Sequence, residues 1–515
     1  MAELTFMTPQ DAWAALMAYR GKYYRKYIAA YSGDRRELNA TGERGSFWKR
    51  NGKAKIHLEL AGDIAATSAD MLFAEEPSFS IRSEAEIDGD PAAREERENE
   101  IKPRQARLDQ LVRLNGLHGK LNEGAESCAA LGDVYIKLNW WPDEIDFPVV
   151  TIAQGDSAWA EYVFGVLKCI HFFSVVKYDA RTDKYTRAYE RYEKGKITMA
   201  LFEGQGDNLG VDLGENALEA YGYEREIKTP VDEMLAAHVP NMRPNRMYRD
   251  SQKGRSDFDG LRDQLDALDE TYSSWMRDVR LAKARLIVPA EYLRRKPTDL
   301  FSGDRQFTYE FDEDVETLVA LDIDPQYAGS NPIKDSQFAI RADEHAKTCA
   351  DLIRNIVSEA GYSPQSFGMD IEGNAQSGTA LHIREKKSYN TRNKKQTYWR
   401  APLERIMTAL VHLDSVLFPA SGSMIEDTVT VGFSDTMASD LSTVSSALEM
   451  INRAVAASTE VKVRMLHPDW TDNEIDKEVK RINEENGLSV PEPDMGLGDF
   501  ENPRQNETED EEGEV

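Results

Sequence analysis

Few residues of this chain stand at spacings that do chemistry. His345 and Cys349 lie one helical turn apart, where an imidazole and a thiolate can share a metal ion and where two inward side chains of a helix seam also fall. The seam is the preferred reading. The eight histidines (His57, His118, His171, His238, His345, His382, His412, His467) include no other pair at ligand spacing on a helix, and the three cysteines (Cys128, Cys169, Cys349) form no C-x-x-C pair. No metal and no other cofactor is therefore expected. Residues 384–400 combine Arg384, Lys386, Lys387, Arg392, Lys394, Lys395 and Arg400 with Tyr389, Tyr398 and Trp399, cations for phosphates among rings that stack on bases. The same cations serve equally well against the acidic surface of a neighbouring subunit. The loop 362–378 has three glycines, but neither the lysine nor the preceding strand of a phosphate cradle, and reads as a mobile loop. There is no P-loop, no G-x-S-x-G elbow and no H-E-x-x-H. With 91 acidic residues any chosen carboxylate pair is arbitrary, so no enzyme is expected.

The surrounding composition is that of a folded chain. Of 515 residues 41% are hydrophobic and 30% charged, and the length alone suggests three or four domains or sub-domains. The net charge of −28 argues against a protein that coats nucleic acid or an anionic membrane with its whole surface. No apolar run approaches the length of a membrane span, no signal peptide is indicated, and the scattered cysteines suit a reducing compartment.

The elements that must position these residues are mainly helical. Trp13, Leu16, Met17, Tyr23, Tyr24 and Tyr27 recur at helical steps behind Thr8-Pro9, a cap and first-turn pair, and Gly33 stops them. A second helix runs from Ile56 to Leu72. Residues 84–100 are strongly charged and read as a mobile connection, and 104–131 as another helix. Short runs rich in branched and aromatic residues (134–138, 149–153, 163–168, 172–178, 185–192) predict an antiparallel sheet or small sandwich. A Pro- and Arg-rich connector (240–256) leads to a long helix over 257–285, about 43 Å, with Ser256 as its cap and Asp259 as capping-box partner. Its acids gather in the first half and its cations in the last turns, as the helix dipole favours. Strands and loops over 286–332 precede a second long helix from Asp335 or Ser336 to Gly361, so the simplest geometry is an antiparallel helix pair with a small β module at its tip. A third long helix spans 379–417 with Pro402 as a kink or interruption. A strand at 428–433, helices over 440–485 and an acidic tail read as disordered complete the chain.

This order of parts resembles the portal proteins of tailed bacteriophages, in the branch typified by siphophage portals of Gram-positive hosts. The resemblance is carried by IHLELAGDIAATSADMLFAEEPSFSI (56–81), CAALGDVYIKLNWW (128–141), VPNMRPN (239–245), the segments 256–289 and 335–368, and SGTALHIREKKSYNTRNKKQTYWRAPLERI (377–406). It covers roughly residues 5–485, and its specificity lies in the ordered set, no single motif being diagnostic. The resemblance implies an α+β, mainly helical portal-type fold with long stem helices and β-containing wing and clip. Residues 1–256 would be the wing, 257–285 and 336–361 the stem helices, 286–335 the clip, 362–378 the tunnel loop, 379–438 a kinked long helix and wing strand, 439–486 the crown, and 487–515 a disordered acidic tail. It further implies a homo-oligomeric ring, usually of twelve subunits, at one capsid vertex of the virion, assembled in the host cytoplasm. Double-stranded DNA would pass through it during packaging, retention and ejection. Its partners would be the terminase large subunit, a head–tail adaptor, and the major capsid and scaffolding proteins, with no membrane. Asp370, Glu372, Asn374 and Gln376 are then the expected channel-loop residues, and Lys386, Lys387, Lys394 and Lys395 candidates for DNA-facing or inter-subunit positions. A hydrolase with an unrecognised carboxylate pair and an acidic scaffold protein remain as alternatives.

Overall fold

The computed structural model describes residues 6–34, 56–82, 91–282, 285–289, 318–321, 334–336, 340–369, 378–419, 427–433, 441–454, 456–467 and 472–486. The chain divides into two compact units, Met1–Ser434 and Asp435–Val515.

The first unit opens with α1 (Pro9–Tyr19), and Thr8 caps it as the sequence predicts: its hydroxyl accepts from the Asp11 amide at 3.1 Å and Asp11 reaches back to the Thr8 amide. One π-turn (Arg20–Tyr24) then separates α1 from α2 (Arg25–Ser32). The wider turn shifts the helical phase of α2 relative to α1, and Tyr19, Tyr23 and Tyr24 are all buried, with Tyr19 packing on both other rings at 4.7 and 4.8 Å. Gly33 ends α2 at φ 63°, a conformation that glycine adopts without strain. Helix α3 (Leu60–Phe73) buries its face against α5 (Leu117–Leu131).

Between them the structure corrects two expectations. The charged segment 84–100 is not a connection throughout: from Pro91 it belongs to α4 (Pro91–Leu114), which runs through Pro103. Ala, Glu and Arg are strong helix formers, so a charged run of them is helical where a charged run of Ser, Gly and Pro is not. The helix expected over 104–131 breaks at Gly116, where φ is 54°. Buried Asn115 repairs the break: its amide donates to the Leu111 and Pro148 carbonyls (3.0 and 3.1 Å), and its carbonyl accepts from the Val150 amide at 2.7 Å.

Strands β2 (Asp133–Asn139) and β3 (Val149–Gln154) form an antiparallel sheet completed by β10 (Ala236–Pro240). A second, antiparallel sheet of six strands holds β4 (Ala158–Val163), β5 (Val166–Asp179), β6 (Lys184–Glu193), β7 (Lys196–Gln205), β8 (Val211–Asp212) and β9 (Glu226–Lys228). The run 163–168 is not one strand. Phe164 and Gly165 have φ of 51° and 80° and turn β4 into β5. Strand β1 (Ser78–Arg82) pairs with β14 (Thr428–Gly432), from the other end of the unit.

Helix α7 (Arg262–Leu281) begins later than expected, because Gly260 sits at φ 84°. It follows the short α6 (Glu215–Ala220) that trails the second sheet. Ser256 does not cap α7: its hydroxyl accepts from the Phe258 amide and donates to the Ala130 carbonyl, which fixes the entry loop onto α5. Twenty residues make α7 about 30 Å long. Its partner α8 (Ala342–Ala360) also starts late, since β13 (Lys334–Ser336) is a strand that pairs antiparallel with β11 (Arg285–Pro289). Strand β12 (Leu318–Leu321) lies parallel to β11 on its other side; the aromatic run at 307–311 lies outside the described residues. The long helix α9 (Gly378–Leu417) is 40 residues and continuous through Pro402. Its second half, with Trp399, Leu403, Met407 and Leu410 almost fully buried, fills the core beneath β10 and β14.

Among the described residues of the second unit are three helices, α10 (Leu441–Arg453), α11 (Thr459–Leu466) and α12 (Asp472–Glu485), with Ser458 capping α11 through the Val461 amide. The acidic tail 487–515 lies outside the described residues.

Candidate functional site: the anchor between α8 and α9

Helices α7 and α8 lie antiparallel. Near one end Gln264 donates to Glu359 at 2.8 Å. Near the other, Asp278 accepts from His345 Nε2 at 2.9 Å and from Arg341 at 3.0 Å, and the His345 ring stacks on Trp275. Hydrogen bonds from His345 and then Arg341 hold the Asp278 carboxyl below the ordinary carboxylate range. His345 is thus a seam residue, as the sequence suggests, and Cys349 is buried one turn along.

At Gly361, φ 105°, the chain leaves α8 and turns against the first half of α9. Three residues at helical spacing on α9 receive it, and a fourth, Lys395, lies one turn further on. Lys387 donates to the Ser358 carbonyl and, at 2.9 Å, to the Ser358 hydroxyl. Ser388 accepts from the Ser363 amide at 2.8 Å and pairs with the Ser366 hydroxyl at 2.9 Å. Thr391 donates to the Gly361 carbonyl at 2.6 Å. Lys395 reaches deepest, donating to Asp257 Oδ2 and to Ser68 Oγ, both at 2.6 Å.

Asp257 gathers the rest of the anchor. Tyr362 donates to its Oδ2 at 2.8 Å and Asn241 to its Oδ1 at 2.8 Å, while its own amide donates to the Ala129 carbonyl at 2.9 Å. The Lys395–Asp257 pair is 1% and 0% exposed. A buried ion pair is tolerated when its remaining donors and acceptors are satisfied, which is the case here. Burial, with the Asp257 charge beside it, pushes the Tyr362 phenol far up, so it stays a donor. Five parts of the chain thus meet at one carboxylate and one ammonium: α3, the end of α5, the connector, the exit of α8 and α9.

A second buried knot holds the connector 240–256. Asp133 accepts from His238 Nε2 at 2.7 Å, from the Gly254 amide at 2.8 Å and from Tyr24 at 3.1 Å, with the Lys253 ammonium at 3.4 Å. Burial alone would raise the Asp133 carboxyl, but Lys253 and the His238 and Gly254 bonds outweigh it and hold it at about 2. By its sequence this segment is only a Pro- and Arg-rich connector. Nothing in PNMRPNRMYRDSQKGRS marks Lys253 as buried; the one hint is the adjacent Gly254, where any Cβ would strike the Gly132 carbonyl.

Of the sequence-predicted site residues, Asp370, Glu372, Asn374 and Gln376 lie outside the described residues, between the anchored segment ending at Met369 and the start of α9 at Gly378. Lys386 and Lys394 are exposed on α9. Lys387 is exposed but engaged with Ser358. Lys395 is no surface cation: its ammonium is consumed by Asp257 inside the fold.

The family model described as "Phage portal protein, SPP1 Gp6-like" matches residues 19–491. The chain belongs to that family. Among solved structures, a chain of the virion of a native gene transfer agent particle aligns at 11% identity over 88% of this chain and 98% of its own, with a TM-score of 0.39. A chain of the neck of the native particle, computed with C12 symmetry, aligns at 12% identity over 79% and 90%, also at 0.39. One from the neck of the empty particle, with C6 symmetry, aligns at 12% identity and 0.37 over the same shares. No curated protein matches. Membership makes this a portal protein, in a family of structural proteins, and the mixed helical and sheet architecture agrees with the expected fold class. No described helix is long and apolar enough to cross a membrane.

Proposed function

We propose that this portal protein assembles head to tail into a closed ring, of twelve subunits, that conducts double-stranded DNA at one capsid vertex during packaging, retention and ejection. It does so without catalysis of its own, the terminase large subunit supplying ATP hydrolysis. A head–tail adaptor docks to it later, and the major capsid and scaffolding proteins surround it. In this reading α7 and α8 are the stem, 286–335 the clip, 370–377 the tip of the tunnel loop and the second unit the crown.

The observation that carries the reading, beside family membership, is the anchor. One rod-like helix pair, α7 and α8, is tied through Asp257 and Lys395 to the long helix α9, which bounds the 370–377 segment. This gives the segment a rigid root at both ends, and a ring of such roots would set loops around a bore. The charge suits a conduit. Twelve copies at −28 carry −336, and a lining that repels phosphates lets DNA slide where many Lys and Arg grips would hold it.

Class-averaged electron micrographs of the purified protein test this. Rings with a central hole are expected, and a particle that stays monomeric at micromolar concentration and in virions would sink the reading.

A further inference from the structure

Strand pairing in the six-stranded sheet places three ligand-type side chains on one face. Glu161 on β4 stands directly opposite Cys169 on β5, at the point where the register shifts, and His171 is two residues further along β5 on the same face. Their atoms converge. Cys169 Sγ is 3.4 Å from His171 Nε2 and 3.5 Å from Glu161 Oε2, and Nε2 and Oε2 are 3.4 Å apart. Among the described residues no other three His, Cys, Asp or Glu side chains meet in this way. Cys169 and His171 are fully buried, and the Glu161 side chain, 15% exposed, is the one of the three that solvent reaches.

The His171–Glu161 edge of 3.4 Å separates a metal site from a hydrogen-bonded pair, and the two sulfur edges fit either. A buried N–H···O bond closes to about 2.9 Å. With Zn–N and Zn–O bonds of about 2.1 Å and a Zn–S bond of about 2.3 Å, the edges of a tetrahedral face are about 3.4 Å between N and O and about 3.6 Å from S to either. The observed triangle matches that face on all three edges. We infer that Glu161, Cys169 and His171 form a site for a thiolate-accepting divalent transition metal, Zn2+ by ligand type, with water at the fourth position.

The surroundings supply what such a site needs. Tyr189 Oη lies 2.9 Å from His171 Nδ1, so the Nδ1 proton can be given to the phenol while Nε2 keeps its lone pair for the metal. The Met7 amide donates to Glu161 Oε2 at 3.1 Å and orients the carboxylate. One carboxylate and one thiolate neutralise a divalent ion, the thiol proton leaving to solvent, while Arg191 beside them is paired with Glu193. Phe6, next to Met7, lies under the Lys168 and Arg191 cations, so the ion would clasp the N-terminal segment to the β4–β5 hairpin.

The test is a Co2+ titration of the full-length protein after chelator treatment and dialysis. One equivalent should bring ligand-field bands in the visible and a thiolate-to-metal charge-transfer band in the near ultraviolet, both removed by Zn2+. Cys169→Ser should abolish the charge-transfer band, and Cys128→Ser should leave it. Should Cys169→Ser fail to fold, Tyr189→Phe keeps the volume of the core and removes the bond that orients His171; it should weaken Co2+ binding 10- to 100-fold. Absence of the bands in the wild type would overturn the assignment, as would bands that neither substitution changes.

Discussion

The Lys395 ammonium and the Asp257 carboxylate meet at 2.6 Å inside the fold, 138 positions apart in the chain. This pair links α9 to the entry of α7, and Tyr362 adds the exit of α8 to the same carboxylate oxygen. Removing the cation strands a buried carboxylate. Lys395→Met is therefore expected to cost about 3–5 kcal/mol, read from the midpoint of urea denaturation. Adding Asp257→Asn to it should recover part of the loss, because a neutral amide no longer needs the ammonium. A Lys395→Met protein within about 1 kcal/mol of the wild type would contradict a buried, satisfied pair.

Why was this centre illegible in the sequence, while the helix pair around it was not? The stripes Leu261–Leu265–Leu268 and Leu352–Ile353–Ile356 announce amphipathic helices, because burial of one face imposes a 3.6-residue period. A buried Lys or Asp leaves no period. In the sequence Lys395 stands within a run of cations and Asp257 at the head of a run of acids, and only three-dimensional pairing tells them apart. The helix starts failed for local reasons. Gly260 and the strand Lys334–Ser336 each take up residues that the apolar spacing alone would have assigned to a helix. The Glu161–Cys169–His171 group was likewise invisible, since Cys169 and His171 at a two-residue spacing converge only on a strand and Glu161 comes from the next one.

The contacts of Ser388 and Thr391 make the segment 361–369 part of the rigid base. Ser388→Ala removes the partner of the Ser363 amide and of Ser366, and Thr391→Val that of the Gly361 carbonyl. Each should cost about 1–2 kcal/mol and speed hydrogen exchange at residues 361–369. Exchange there unchanged in the double variant would mean that α9 does not hold the root of the loop.

The stability that two histidines contribute should decline as pH rises through their values. Its Asp269 hydrogen bond at 2.8 Å raises His57 above its ordinary value despite burial. At His412 burial acts downward, but Glu233 at 2.7 Å and the Asp427 carbonyl overcome it. The folded state therefore binds these protons more tightly than the unfolded state. Their contribution is complete below the unfolded value of about 6.5 and is lost as pH rises through the folded one. His171 and His238, lowered by burial, act with the opposite sign, so the test is a difference: the advantage of the wild type over His57→Gln with His412→Gln in denaturation midpoint should shrink as pH rises across that interval. Asp278 acts with the opposite sign: its depressed carboxyl stabilises above its unfolded value and ceases to as pH falls through the folded one.

The anchored segment also dictates where the loop can be cut. A deletion over 366–376 would remove Ser366 and so one of the contacts to Ser388. Deleting 370–377 instead spares every described contact of the root. Rings should form normally in the shorter deletion while packaged or retained DNA per particle falls. Full packaging with 370–377 removed would reject the tunnel-loop reading and leave the ring intact as a conclusion.

Lys386 and Lys394 are exposed cations of the basic half-helix on α9, and among the described contacts neither pairs with an acid. Reversing both to Glu should change subunit stability by no more than about 0.5 kcal/mol, because neither anchors the fold. The effect should appear instead in assembly or in DNA transit. If the two cations meet a neighbouring subunit, the variant will form fewer rings on size exclusion at low salt, and added salt will narrow the gap to the wild type. If they face the bore, ring yield will be unchanged and the salt dependence of packaging will shift. A variant with wild-type assembly and wild-type packaging would remove both lysines from the candidate site and confine its charge chemistry to the 370–377 segment.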